Sequence, residues 1–291
     1  MFPFITIFGM IGNVVAFIVF SRKAFQNTVF SIYFRFLIIC DSISLLLPIN
    51  RFLELNFNIY LARVSNEFCK FRFYFAYAIT PISGWITAAI SLDRLLSIKM
   101  PAKFLVRKKT WFQILVCFII FSFDFAYYIQ NLIVYSLVKY EEFNNKTNET
   151  IVSYSCDSNG ISLDWLDLFQ SDITPFTLMI IFTILTLQSI FQSRKRLGTN
   201  LNNDTSKQKD VKFAITSIAI NVIFLLFNSP YCLFNVISDY IQFNDITEHH
   251  MILAFCYLFF YGNFGSVFYV NIYFNVLFKK EFFKLFKKAV S

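Results

Sequence analysis

The sequence predicts an all-α fold, a seven-transmembrane helix bundle closed at its C-terminus by a short amphipathic interfacial helix. Three observations predict it. Apolar residues make up 57% of the 291-residue chain and charged residues 15%, with a mean hydropathy of +0.57, which is too apolar for a soluble domain of this size. Seven apolar runs are each long enough to cross a hydrocarbon core of about 30 Å. Lysine and arginine collect in alternate connecting segments, as they do when a chain is threaded through a bilayer.

The first span, 4–21, carries Gly12-Asn13 in its middle and ends at Arg22-Lys23. With no basic segment before it and no small-residue cleavage site after it, it reads as a span and not as a signal peptide. The second, 29–49, holds Asp41 at mid-depth, where a carboxylate is costly unless it faces partners or water. Residues 50–68 read as a mixed loop. The third, 71–98, follows Cys69, contains Pro81 and ends around Asp93-Arg94. An adjacent acid and base are expensive in lipid and cheap at the boundary, so this pair marks where the helix leaves the bilayer. From Cys69 to Arg94 a helix rises about 37 Å, enough to cross with some tilt.

The fourth span, 111–135, contains Asp124. The polar stretch 136–166 holds Cys156 and two Asn-x-Thr sequons at Asn145 and Asn148, which read as glycosylation sites. The fifth span, 169–192, contains Pro175, and the sixth, 211–238, contains Pro230, which should kink it. The seventh is 251–277. In 278–288, Phe278, Phe282, Leu285 and Phe286 share one helical face and lysines the other, the pattern of a helix lying on a membrane surface.

Counting the segments after the first, third and fifth spans and the tail gives two, five, six and five Lys/Arg, eighteen of the twenty-six. The opposite segments carry six, against twelve Asp/Glu. The positive-inside rule therefore places the N-terminus outside and the C-terminus in the cytoplasm. The net charge of +8 is accounted for by this orientation, and nucleic acid is not needed as a partner. The 41 Phe and 15 Tyr lie within apolar runs and not between basic residues, so they suit lipid and helix packing better than base stacking. The six cysteines form no Cys-x-x-Cys or Cys/His cluster, and no metal site or cofactor is expected.

Seven spans, an outer cysteine heading the third, a second before the fifth, and Asp93-Arg94-Leu95 at the foot of the third together resemble the rhodopsin-like G protein-coupled receptors. The resemblance covers nearly the whole chain. Asn13 matches the family's polar residue in the first span, Asp41 its second-span aspartate, Pro175 and Pro230 its fifth- and sixth-span prolines, and Asn275-x-x-Phe278-Lys279 its join to the interfacial helix. The sequence also departs from the pattern. Val267-Phe268-Tyr269-Val270-Asn271 stands where the family has Asn-Pro-x-x-Tyr, Asn228 replaces the sixth-span tryptophan, Thr183 replaces the fifth-span tyrosine, and no fourth-span tryptophan lies near Ile120. A divergent invertebrate-type receptor is the implied picture.

The resemblance implies a plasma-membrane protein that binds an extracellular ligand and activates a heterotrimeric G protein. The position of the monoamine-binding aspartate is Ala76 and that of the opsin lysine is Tyr261, so neither of those ligand chemistries is expected. An acidic outer face and a pocket of Tyr77, Asn228, Tyr231, Tyr257 and Tyr261 suit a basic peptide, and the chain looks similar to the FMRFamide-type neuropeptide receptors. Cys69 and Cys156, the two cysteines on the oxidising side, are expected to form a disulfide, with Cys40, Cys117, Cys232 and Cys256 free. Asp41, Ser83 and Asn263 should meet at mid-bundle, in the cavity that in the family holds a sodium ion. Arg94 should pair with Asp93 and with Asp210 at the foot of the sixth span, a lock whose release exposes the arginine to the G protein.

A transporter or channel is the competing reading, against which stands the absence of a repeat between halves. An intramembrane enzyme would need Asp41 and Asp124 as a pair, without the usual glycine-rich context around either, or His249-His250, which lack a third ligand.

Overall fold

A computed structural model describes residues 2–26, 28, 30–57, 59–61, 64–100, 105–144, 149–158, 160–161, 164–197, 205–238 and 246–290. Within these ranges, side chains near several helix ends are not described, those of 193–197, 205–214 and 246–250 among them. Seven helical segments are long and apolar enough to cross a membrane.

Helix α1 (Phe2–Phe20) is followed by the single turn α2 (Lys23–Gln26). The second span is two helices, α3 (Ser31–Ser44) and α4 (Leu47–Phe57), so helix continues through half of the segment expected as loop. The break precedes Pro48, which has no N–H to donate. The Ile49 amide bonds the Leu46 carbonyl, and the Leu45 carbonyl that a regular helix would pair with Ile49 instead accepts the Thr6 hydroxyl of α1 at 3.2 Å. The turn at the break thus frees an acceptor, and the neighbouring helix supplies the donor.

The third span is likewise two helices, α5 (Asn66–Ile79) and α6 (Ile82–Lys99), meeting at Thr80-Pro81. It starts five residues before the expected 71, because Ser65 caps it by accepting the Phe68 amide at 3.1 Å. The fourth span is α7 (Thr110–Tyr127), a tight 3-10 turn at Tyr128–Gln130, and α8 (Asn131–Val134).

The polar stretch 136–166 contains an antiparallel hairpin. Strands β1 (Ser136–Asn144) and β2 (Glu149–Asp157) pair from Ser136 with Asp157 to Asn144 with Glu149. Three β-branched residues in succession, Thr150-Ile151-Val152, favour extended backbone there.

The fifth span begins as α9 (Asp164–Leu168), widens into a π turn at Phe169–Ile173, and continues as α10 (Thr174–Leu197) through Pro175. Helix α11 (Thr205–Ser238) runs unbroken in its hydrogen-bonded assignment past Pro230, and α12 (Ile246–Phe274) ends three residues before the expected 277. Asn275 turns the chain into α13 (Val276–Val290): its amide group donates to Asn271 Oδ1 at 3.1 Å while its Oδ1 caps the Phe278 amide at 3.1 Å.

The packing is that of a protein in lipid, with polar side chains inside and large apolar ones outside. Asn13, Asp41, Ser83, Asn263 and Asn271 are buried, whereas Phe8, Phe118, Phe191 and Tyr273 are exposed. Small residues let helices approach: a Cβ at Gly265 of α12 would sit 2.9 Å from the Gly9 Cα of α1. Phenylalanines fill the end where α13 docks. Phe20 stacks on Phe34 with centroids 4.7 Å apart and meets Phe278 at 5.1 Å, and Arg22 Nε reaches Glu281 at 2.8 Å. Aromatic contact and an ion pair therefore fasten α13 to α1 and α3.

Candidate functional site

Three groups of polar side chains lie along the bundle axis, and α5 with α6 passes all three. At one end Cys69 is bonded to Cys156 with Cα atoms 5.7 Å apart, which ties β2 to the start of α5. The Leu137 amide donates to Asn66 Oδ1 at 2.9 Å beside it, so both strands of the hairpin are anchored over the helix ends. Cys40, Cys117, Cys232 and Cys256 are free.

Below the hairpin, tyrosines from four elements converge. The Tyr135 hydroxyl donates to the Tyr77 hydroxyl at 3.3 Å, and Tyr77 lies 6.0 Å from Tyr128 ring to ring. On the opposite wall Tyr231 of α11 meets Tyr257 of α12 at 5.2 Å, and Tyr257 meets Tyr261 at 5.9 Å. Tyr77, Tyr231, Tyr257 and Tyr261 are all partly exposed although they sit inside helices. Asn228 is buried and turns its amide back onto the Phe224 carbonyl of its own helix at 2.8 Å. Of the five residues expected to line a pocket, it is the one shown spending its donor within its own helix.

At mid-bundle, Asp41, Ser83 and Asn263 are 1%, 3% and 4% exposed. The Ser83 hydroxyl lies beside the Asp41 carboxyl, yet among the described residues neither Asp41 oxygen has a partner at hydrogen-bonding geometry, so Ser83 is a neighbour of the carboxyl and not its hydrogen-bond partner. Asn13 donates to Phe264 O at 3.1 Å, which brings the residue next to Asn263 level with α1, and also to Ser42 Oγ at 3.2 Å beside Asp41. Among the described residues, oxygens of Asp41, Asn13 and Ser44 are left without a partner in this layer, and of these groups only the Ser44 hydroxyl carries a proton to donate. Such a set takes a proton, a water or a cation.

At the other end, Arg94 Nη2 lies 2.7 Å from Asp93 Oδ2 and its guanidinium lies over the Phe30 ring, 3.7 Å from the centroid. The second oxygen of Asp93 takes Arg107 Nη1 at 3.3 Å, and the same nitrogen bonds Ser97 Oγ. Gln113 holds the Arg107 carbonyl at 3.0 Å. Arg107 was counted in the sequence only as loop charge, and a basic residue in a basic loop gives no sign that it folds beneath a helix. A crevice of about 10 Å³ beside Arg94 is lined by Thr216 and Ser217 of α11 and by Asn275. Asp210 lies six residues before Thr216 on α11, but its side chain is outside those described, as are the sequons at Asn145 and Asn148 and the His249-His250 pair.

A polar link between helices also escaped the sequence reading. Ser91 of α6 donates to Asn221 Oδ1 at 2.9 Å, and Asn221 Nδ2 donates to Thr183 Oγ1 of α10 at 2.7 Å. Thr183 stands where the family pattern has a tyrosine, so a hydrogen bond between helices occupies that place here. An amide inside the apolar run Ile215–Leu226 was the available signal.

Compared with known proteins, the chain matches the model of the 7 transmembrane receptor (rhodopsin family) over residues 12–264. No individual curated protein matches it. The matched stretch covers most of the chain and contains the disulfide, the tyrosine walls, Asp41 and the Asp93-Arg94 pair. The chain belongs to the rhodopsin family of seven-transmembrane receptors, membrane proteins that signal through G proteins.

Proposed function

We propose that this receptor responds to an extracellular neuropeptide, of the kind taken by FMRFamide-type receptors, bound in the chamber of Tyr77, Tyr231, Tyr257 and Tyr261. The observation that carries this reading is the hairpin. A two-stranded ribbon anchored by Cys69–Cys156 stands over the tyrosines, which gives the chamber a rigid margin and leaves its aromatic walls partly exposed. Aromatic rings with hydroxyl tips offer an extended peptide both contact area and hydrogen bonds at low entropic cost.

In this reading the hairpin end faces outside the cell, where a disulfide persists and Asn145 and Asn148 receive glycans, and the lysine-rich α13 lies on the inner leaflet. Arg94 is the coupling residue. At rest Asp93 holds it, and Asp210 holds it from α11. Ligand binding moves α11 away, and the freed guanidinium meets the G protein. Asp41, Ser83 and Asn263 hold a sodium ion or water that favours the resting arrangement.

The test is a screen of amidated peptides on cells expressing the chain, read as calcium or cyclic-nucleotide change. Arg94→Ala, with surface expression retained, should abolish the response, and Asp210→Asn should raise the basal signal. A response that survives Arg94→Ala would refute the coupling role, and failure of every amidated peptide would refute the ligand class.

A further inference from the structure

Beside the tyrosines lies a carboxylate that the pocket assignment leaves out. Asp167 lies in α9, after the hairpin and before the π turn, and is partly exposed. The Tyr128 hydroxyl donates to its Oδ1 at 2.6 Å, which fixes the carboxylate against the buried Tyr128 of the 3-10 turn in the fourth span. Tyr127, next to it, donates to the Leu166 carbonyl at 3.2 Å and holds the backbone of the same turn of α9. The carboxylate lies close enough to Tyr77 and to Tyr231 to act electrostatically on both, so it neighbours both tyrosine groups.

We propose that Asp167 is the counter-ion for a cationic group of the ligand, a guanidinium or an ammonium, enclosed by Tyr77, Tyr128 and Tyr231. This rests on the reading that the tyrosine chamber takes the ligand. The chemistry follows from what surrounds the carboxylate. Aromatic faces attract a cation through their quadrupole, and a fixed carboxylate neutralises it. Phenol hydroxyls at the rim replace part of its hydration shell. A planar guanidinium fits best, because it stacks on a ring while bonding a carboxylate edge-on. An anionic ligand group would meet Asp167 at close range and be repelled, so the same residue gives the chamber its sign.

The test uses two probes of the same shape, arginine amide and citrulline amide with their α-amino groups acetylated, which differ only in a charged guanidinium against a neutral urea. Purified receptor in lipid nanodiscs should be stabilised against heating by the first and not by the second. Asp167→Asn should weaken arginine amide binding by roughly 100-fold and erase the discrimination. Asp167→Glu, which keeps the charge, should retain the discrimination and controls for folding. Equal effects of the two amides on the wild type, or discrimination that survives in Asp167→Asn, would overturn the assignment. The peptide screen is separate from this. Discrimination between the amides without any peptide response would refute the neuropeptide reading while leaving Asp167 as the cation site, and a peptide response without discrimination would do the reverse.

Discussion

Replacing Asp93 by asparagine removes the anion shared by two buried guanidiniums, since Asp93, Arg94 and Arg107 are 5%, 4% and 6% exposed. With an effective dielectric constant of about 20, unit charges separated as the 2.7 Å and 3.3 Å contacts are attract by about 6 and 5 kcal/mol. Desolvation offsets much of this, and removing one partner from a buried ion pair typically costs about 3–5 kcal/mol. Asp93→Asn should fall in that range. Arg107→Ala should cost less, about 1–3 kcal/mol, because Asp93 keeps Arg94 and no charge is stranded. Once Arg107 is gone, Asp93→Asn strands one guanidinium in place of two, so the double variant should lose less than the sum, with a coupling of about 1–3 kcal/mol. The assay is unfolding of purified receptor followed by reaction of the buried free thiols of Cys40, Cys117 and Cys256 with a thiol-reactive dye. Basal signalling should rise in the order wild type, Arg107→Ala, Asp93→Asn. Effects that add within about 0.5 kcal/mol, or an Arg107→Ala more damaging than Asp93→Asn, would refute the shared-anion account.

Cys69→Ala should destabilise the receptor by about 4–5 kcal/mol on the loop-entropy estimate for the 87-residue separation, measured as loss of surface expression and of thermal stability, and Cys156→Ala should match it because one bond is lost in both. Asp41→Asn supplies an amide donor to the donor-poor set at mid-bundle, so it should abolish any dependence of ligand affinity on sodium while leaving the fold intact; an unchanged sodium dependence would exclude an ion there. Lys284, and then Arg22, hold the Glu281 carboxyl below its usual value of 4.5 despite its burial. A lowered folded-state value means this contribution is complete above the unfolded value and is lost as the pH falls through the lowered one. A fluorophore on α13 should therefore report undocking as the pH drops below about 4.5, and Glu281→Gln should remove that pH dependence.

The sequence by itself determined the spans, because the cost of an unpaired backbone group in hydrocarbon leaves a long apolar run no choice but helix. It determined the disulfide as well: a cysteine at the head of the third span and one in the longest polar stretch were the pair left on one side. Asp41 and Arg94 stood out for the same reason, since charge inside or beside an apolar run is rare unless it is used. The tertiary structure alone decided which other polar residues join them. Arg107 reads as one more loop cation until the segment after α6 folds back beneath Asp93, and Asp167 reads as one more outer acid until the turn of α9 sets it against the Tyr128 hydroxyl. Proline positions were legible, but their consequences were not. Pro48 and Pro81 divide their spans, whereas Pro230 lies inside a helix of 34 residues, where the Ser229 hydroxyl of the same helix lies 3.5 Å from the Leu226 carbonyl that the proline leaves without an amide. The strand character of 136–144 and 149–157 was hidden for a related reason. A hairpin exists through pairing across its two strands and through its anchors at Cys69 and Asn66, and neither lies within the stretch that a local pattern can read.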